Sequence, residues 1–182
     1  NTTNSQVVVN AGAGDDVIVL GPNASLGDPA GTGRDILELD TNFGNDSLVG
    51  FISGEDKINV SAFLNKADGF NIANSAANLG DNSAYVLPMT VAPKNADGIY
   101  TQEEVNSFLA NNGGSYLGFA TGTDAAAKAV VLLQANVDGQ NVYTVVQMNN
   151  GTTPSATIAG SLTLEEGKTI ASSDLYNSNA FE

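Results

Sequence analysis

Four times before residue 60 the chain repeats one pattern: Gly, any residue, Asp, any residue, aliphatic. The copies are Gly14-Asp15-Asp16-Val17-Ile18, Gly33-Arg34-Asp35-Ile36-Leu37, Gly44-Asn45-Asp46-Ser47-Leu48 and Gly54-Glu55-Asp56-Lys57-Ile58. Self-similarity of this kind marks a stacked-repeat architecture before any residue-level assignment is made. Two copies extend backwards to nonapeptides, Ala11 to Val19 and Ala30 to Glu38, which fit the Gly-Gly-x-Gly-x-Asp-x-aliphatic-x repeat with Ala for the first Gly. In such a repeat the glycines admit positive φ and leave carbonyls unobstructed, the Asp supplies an anionic oxygen, and a short strand follows. Its aliphatic residue, Ile18 or Leu37, points inward, and Leu20 and Leu39 share that face by the two-residue period of a strand.

A roll built this way takes two nonapeptides per turn, so a turn stacks on one about 18 residues later. Asp16 and Asp35 are 19 apart and are expected as neighbours on one edge. Asp56 should follow Asp35 there, 21 residues on, while Asp28 and Asp46, 18 apart, should share the opposite edge. A cation between successive turns would relieve the carboxylate repulsion that stacking creates. The competing reading is a series of Gly-Asp turns in an ordinary β-sandwich, with each Asp capping its own turn. For Asp28 and Asp46 the two readings stand level, because residues 21–29 depart from the repeat almost throughout.

Composition narrows the chemistry. The 182 residues hold 20 Asp and Glu, 6 Lys and Arg, no His and no Cys, for a net charge of −14. Zinc fingers, Ser-His-Asp or Cys-His catalysis and thiol redox chemistry are excluded, leaving oxygen ligands suited to hard cations such as Ca²⁺. Nucleic acid is not an expected partner, since the charge repels phosphate and the single Arg builds no basic patch. No apolar run approaches the roughly 20 residues of a transmembrane helix. Half of the net negative charge falls within residues 1–60. The first residue is Asn1, which suggests a processed chain or a piece of a longer one.

The repeats, together with the string Asn45 to Phe63 into which the last of them run, resemble the RTX family, in particular the C-terminal region of type I secreted proteins such as serralysin-like proteases. Val130 to Gln134, Val142 to Gln147, Ala156 to Leu164 and the pair Asp174-Leu175 are similar to that family's closing strands and terminal acidic-hydrophobic pair. The resemblance implies a non-enzymatic, Ca²⁺-binding module that stays unfolded in the cytosol, passes a type I secretion exporter of a Gram-negative bacterium and folds outside. Carried over by position, it implies carbonyl ligands from Ala11, Ala13, Gly31 and Gly33 and carboxylates from Asp16 and Asp35, with Asp28, Asp46 and Asp56 as further ligands. Alternatives are an S-layer or adhesin domain that self-assembles at the cell surface, or the tail of a secreted protease or lipase.

The expected fold is mainly all-β: a short parallel β-roll over residues 1–63, then a β-rich, sandwich-like cap with one helix over 64–182, the latter carrying the secretion signal. Apolar or alternating runs predict strands at Tyr85-Val86-Leu87, Ser115 to Ala120, Ala129 to Leu133, Val142 to Met148 and Ala156 to Leu164, with a hairpin turn at Val137 to Gln140. Thr101-Gln102-Glu103-Glu104 is a capping box opening a helix with Val105, Phe108 and Leu109 on its apolar stripe. Asn95 to Glu104 has the outline of an EF-hand loop, but Pro93 stands where the first Asp is required, so a turn into a capped helix is the better reading. Glu103/Glu104 and Glu165/Glu166 are adjacent acids without a sugar-binding platform, as the chain has no Trp.

Overall fold

The computed structural model describes residues 7–20, 35–65, 70–73, 79–110, 118–119 and 123–176. The expected strand at 115–120 lies almost wholly outside them; Phe119 forms a bridge with Leu79. The chain is mainly β, with one short α-helix among the described residues.

The first five strands are β1 (Val7–Val9), β2 (Val17–Val19), β3 (Asp35–Glu38), β4 (Gly44–Val49) and β5 (Lys57–Asn59). They alternate between two sheets: β1, β3 and β5 lie in one, β2 and β4 in the other, and every neighbouring pair among them is parallel. The alternation follows from strands too short to turn back on themselves. β1, β2 and β3 are only three or four residues long, and each is followed in the chain by a strand of the opposite layer.

Both sheets continue into the second part of the chain. There follow β6 (Asn71–Ile72), β7 (Ser83–Pro88), helix α1 (Gln102–Ala110), β8 (Lys128–Val137), β9 (Gln140–Asn149), β10 (Ser155–Glu166) and β11 (Leu175–Tyr176). The small sheet has the order β1-β3-β5-β11 and the large one β2-β4-β10-β9-β8-β7-β6. Strands from residues 7–63 and from residues 64–176 therefore share both layers. β8 to β10 form an antiparallel meander, and the β8–β9 hairpin turns at Asp138-Gly139, both at positive φ as the two-residue loop requires.

Alternation along these strands divides the apolar residues between two cores. Ile18, Leu48, Leu162, Leu164, Val130 and Leu132 meet Leu37, Ile58 and Leu175 between the sheets. Val131, Leu133, Val146 and Met148 face the other way, onto Tyr100, Val105 and Leu79. Each such side chain contributes about 1.5–3 kcal/mol by burial. Ile18, Leu20, Leu37 and Leu39 are buried, as their spacing predicts.

Helix α1 begins with the expected box. The Thr101 hydroxyl accepts from the Glu104 N–H, and the Glu104 carboxylate accepts from the Thr101 N–H and from the Lys94 N–H. The helix packs on β10, where the Gln102 side chain serves the otherwise unpaired flank of the strand: its Nε2 donates to Ala156 O and its Oε1 accepts from Ile158 N–H. Beyond that point β4 takes over as the neighbour of β10, starting at Gly160.

Candidate metal centre

The parallel registers place the acidic residues on two opposite edges of the winding. The expected partnership of Asp16 and Asp35 does not occur: Asp16 leads into β2 in the large sheet, and Asp35 opens β3 in the small one. The reason is length. β2 ends at Val19 in one sheet and β3 begins at Asp35 in the other, so the 19 residues from Asp16 to Asp35 span half a turn rather than a whole one. Full turns measure 30 residues at Asp16–Asp46 and 21 at Asp35–Asp56. A uniform 18-residue period is absent from the described part of the winding.

On the edge of the large sheet, Asp46 stacks on Asp16 and Asn45 on Asp15. The Asp16 N–H donates to Asp46 Oδ1 at 3.0 Å, and the Asn45 N–H donates to Asp15 Oδ1 at 2.9 Å. The Ser47 N–H reaches Asp16 O at 2.8 Å. One layer further, Ser161 Oγ donates to Asn45 Oδ1, while Leu162 lies opposite Asp46 and ends the run of carboxylates. The glycines set this spacing. A Cβ on Gly44 would collide with the carbonyl oxygen of Gly14, and one on Gly160 with that of Gly44, so only glycine lets the three layers approach.

Asp46 is 2% exposed, and burial pushes its carboxyl above the ordinary carboxylate value. The Asp16 amide pulls it back down, and the negative charges of Asp16 and Asp15 push it up again. Asp16 Oδ2 is buried without a hydrogen-bond partner. Among the described residues no Lys or Arg forms an ion pair with Asp15, Asp16 or Asp46. Ala11 is partly buried and packs against the core between the sheets, and Ala13 is exposed.

The edge of the small sheet is constructed differently. Asp56 is fully buried; its Oδ1 accepts from the Asp35 N–H at 3.1 Å and its Oδ2 from the Ile52 N–H at 2.8 Å. Asp174, before β11, is also fully buried and accepts from the Gly54 N–H, the Ala171 N–H and the Ser53 hydroxyl. Lys57 Nζ lies 3.6 Å from its Oδ1 and donates to Ser173 O. Asp28, Gly31 and Gly33 fall outside the described residues. Asp15, missed as a candidate by the repeat arithmetic, was marked by its triplet: Gly14-Asp15-Asp16 stacks on Gly44-Asn45-Asp46, residue for residue.

The donor set on the large-sheet edge, all carboxylate and carbonyl oxygen, fits a hard cation, and a buried carboxylate oxygen without a donor is the atom such an ion would serve. Among the described residues, no three or more acidic side chains already converge on one point. No helix among them is long and apolar enough to cross a membrane. Comparison with family models, with curated proteins and with solved structures returns no match.

Proposed function

We propose that the chain is a non-enzymatic, Ca²⁺-binding module of a larger secreted bacterial protein. In this reading the two-sheet winding is a short β-roll of RTX type with unequal turns of 30 and 21 residues. The observation that carries it is Asp16 Oδ2, buried and without a partner, on the same edge as the buried Asp46 carboxylate. Asp16 and Asp46 would hold the ion with Asp15 beside them, and loop carbonyls, among them those of Ala11 and Ala13, would complete the six to eight oxygens that Ca²⁺ takes. The ion would neutralise carboxylates that stacking forces together. In cytosol poor in Ca²⁺ their repulsion favours the open chain, and outside the cell the ion favours the closed one. Asp35 and Asp56 serve in this reading as turn-closing residues, since both Asp56 oxygens already accept backbone N–H groups.

Thermal unfolding in EDTA and in millimolar CaCl₂ tests the metal. Ca²⁺ should raise the transition temperature of the wild type, Asp16→Ala should abolish the rise, and Glu103→Ala should retain it. An equal transition temperature in both buffers rejects Ca²⁺ binding. The type I export role is tested separately by deleting the last third of the chain, and normal secretion of the shortened protein rejects it.

A further inference from the structure

The sequence contains two Asn-Gly pairs, Asn112-Gly113 and Asn150-Gly151. The first lies outside the described residues, and the second opens the turn that joins β9 to β10. An asparagine followed by glycine is the most labile setting for a side-chain amide, because glycine has no Cβ to hold its backbone nitrogen away from the preceding side chain. Residues 151–154 are exposed, and Ser155 is already paired with Asn149 in the β9–β10 ladder.

Asn150 also holds a second loop in place. Its Nδ2 donates to Thr123 O at 3.0 Å and to Asp124 O at 2.8 Å, and its N–H donates to Ala127 O at 2.9 Å. Both side-chain donors of the amide are thus spent on carbonyls. The loop they hold is closed on itself by Asp124: the Ala126 N–H donates to Asp124 Oδ1 at 2.8 Å, and the Ala127 N–H to Asp124 O at 3.0 Å. Asn65 holds it as well, through a bond from its Nδ2 to Ala126 O at 2.7 Å. The loop runs directly into β8, where Lys128 lies opposite Asn149.

We propose that Asn150 is a modification site: its amide is lost by spontaneous deamidation through Gly151, and the resulting acid releases the 123–127 loop from the β9–β10 turn. The Gly151 nitrogen gives its proton to hydroxide and bonds to Asn150 Cγ; the Cγ–Nδ2 bond breaks, and ammonia leaves with a proton taken from water. Water then opens the succinimide, at one carbonyl to give aspartate and at the other to give isoaspartate. Either product replaces two donors by an anionic acceptor facing the carbonyl oxygens of Thr123 and Asp124. Both carbonyls lose their donor, and the new charge falls beside an acidic residue in a chain of net charge −14. The same bonds gate the reaction. Ring closure needs Cγ to swing onto the Gly151 nitrogen, whereas the folded chain anchors the amide on Thr123 and Asp124, so closure proceeds from a locally opened turn.

Peptide mapping by mass spectrometry in mildly alkaline buffer reads the conversion and separates residue 150 from residue 112. The 182-residue chain should convert at residue 150 when unfolded in guanidinium chloride, and at least about tenfold more slowly when folded. Gly151→Ala places a Cβ 3.2 Å from Thr153 O in an exposed turn and retains Asn150; it should suppress conversion in the unfolded chain. Asn150→Asp supplies the aspartate product directly, and hydrogen exchange of its Ala126 and Ala127 amides should quicken at least about tenfold over wild type. Wild-type chain aged in the folded state until residue 150 has converted gives the same reading without a variant. Folding is followed by circular dichroism and not by Ca²⁺, so the outcome stands apart from the reading above. Conversion of the folded chain as fast as the unfolded one overturns the inference, as does wild-type exchange at Ala126 and Ala127 once residue 150 is an acid.

Discussion

The two edges of the winding carry similar carboxylates and treat them in opposite ways. On the small-sheet edge two buried acids are well supplied with donors: Asp56 by two amides, Asp174 by two amides, a hydroxyl and Lys57. On the large-sheet edge Asp46 has one amide and two acidic neighbours, and Asp16 Oδ2 has nothing. Identical Gly-x-Asp sequences thus produce a self-sufficient closure on one side and an electrostatic deficit on the other. Donors decide the difference. Ser53, Gly54 and Lys57 come from the tight 52–57 turn, and residues 171–176 return to that turn to meet them, while Leu162 meets Asp46 on the other edge.

Removing Asp174 should produce the largest effect, because it orphans two amides and a hydroxyl and takes the carboxylate partner from the half-buried Lys57 ammonium. Asp174→Ala is expected to lower stability by about 3–5 kcal/mol in urea titrations, equally in EDTA and in CaCl₂. A loss confined to CaCl₂ would break the comparison, by showing that the small-sheet edge also depends on the ion. On the large-sheet edge, Ca²⁺ at 100 times its dissociation constant should add about 2.7 kcal/mol, a rise of roughly 5–11 °C in melting temperature for a chain of this size. Asp16→Ala should erase that rise.

Glu104 supplies a control remote from both edges. Burial pushes its carboxyl up, but the Thr101 amide and hydroxyl, the Lys94 amide and the Lys94 charge more than reverse this and hold it below its ordinary 4.5. A depressed value in the folded state stabilises above the unfolded value and is lost as pH falls through the folded one. Glu104→Ala should therefore cost about 1 kcal/mol at pH 7, insensitive to Ca²⁺, with the gap to wild type closing in melts below pH 4.5.

Asp46→Asn has the smallest expected effect in EDTA, and its sign is opposite. The wild-type carboxyl titrates above its unfolded value, so its ionisation works against folding at pH 7, and this burden is relieved as pH falls through the folded value. An Asn oxygen can still accept the Asp16 amide. In EDTA the variant should melt at or above the wild-type temperature at pH 7, with the difference shrinking on acidification, and it should lose most of the Ca²⁺ response. A clearly lower melting temperature in EDTA would place Asp46 with Asp56 as a closure residue.

Much of this was legible in the chain. The inward faces of Ile18, Leu20, Leu37 and Leu39, the strands around residues 85–87, 129–133, 142–148 and 156–164, the Asp138-Gly139 turn and the Thr101 to Glu104 box follow from periodicity and local chemistry. These are interactions within a few residues, and sequence encodes them directly. The partner of Asp16 was not legible. Spacing pointed to Asp35 at 19 residues, whereas the partner is Asp46 at 30, because successive strands fall in opposite sheets and only every second one returns to the same edge. Nor does any local pattern announce that β10 joins β4 or that β11 joins β5.

By itself, then, the sequence determined that this chain repeats a glycine-acid turn and an inward aliphatic residue, that it is mainly β, and that only oxygen ligands are available to it. The tertiary structure decided which carboxylates meet. That outcome depends on where strands separated by more than a hundred residues settle, and this is fixed by the close approach of Gly160 to Gly44 and by the buried anchoring of Asp174 beside Gly54. Backbone approach at a glycine and the demand that every buried carboxylate find donors are properties of the packed whole, so the same motif closes one edge and leaves the other in need of charge.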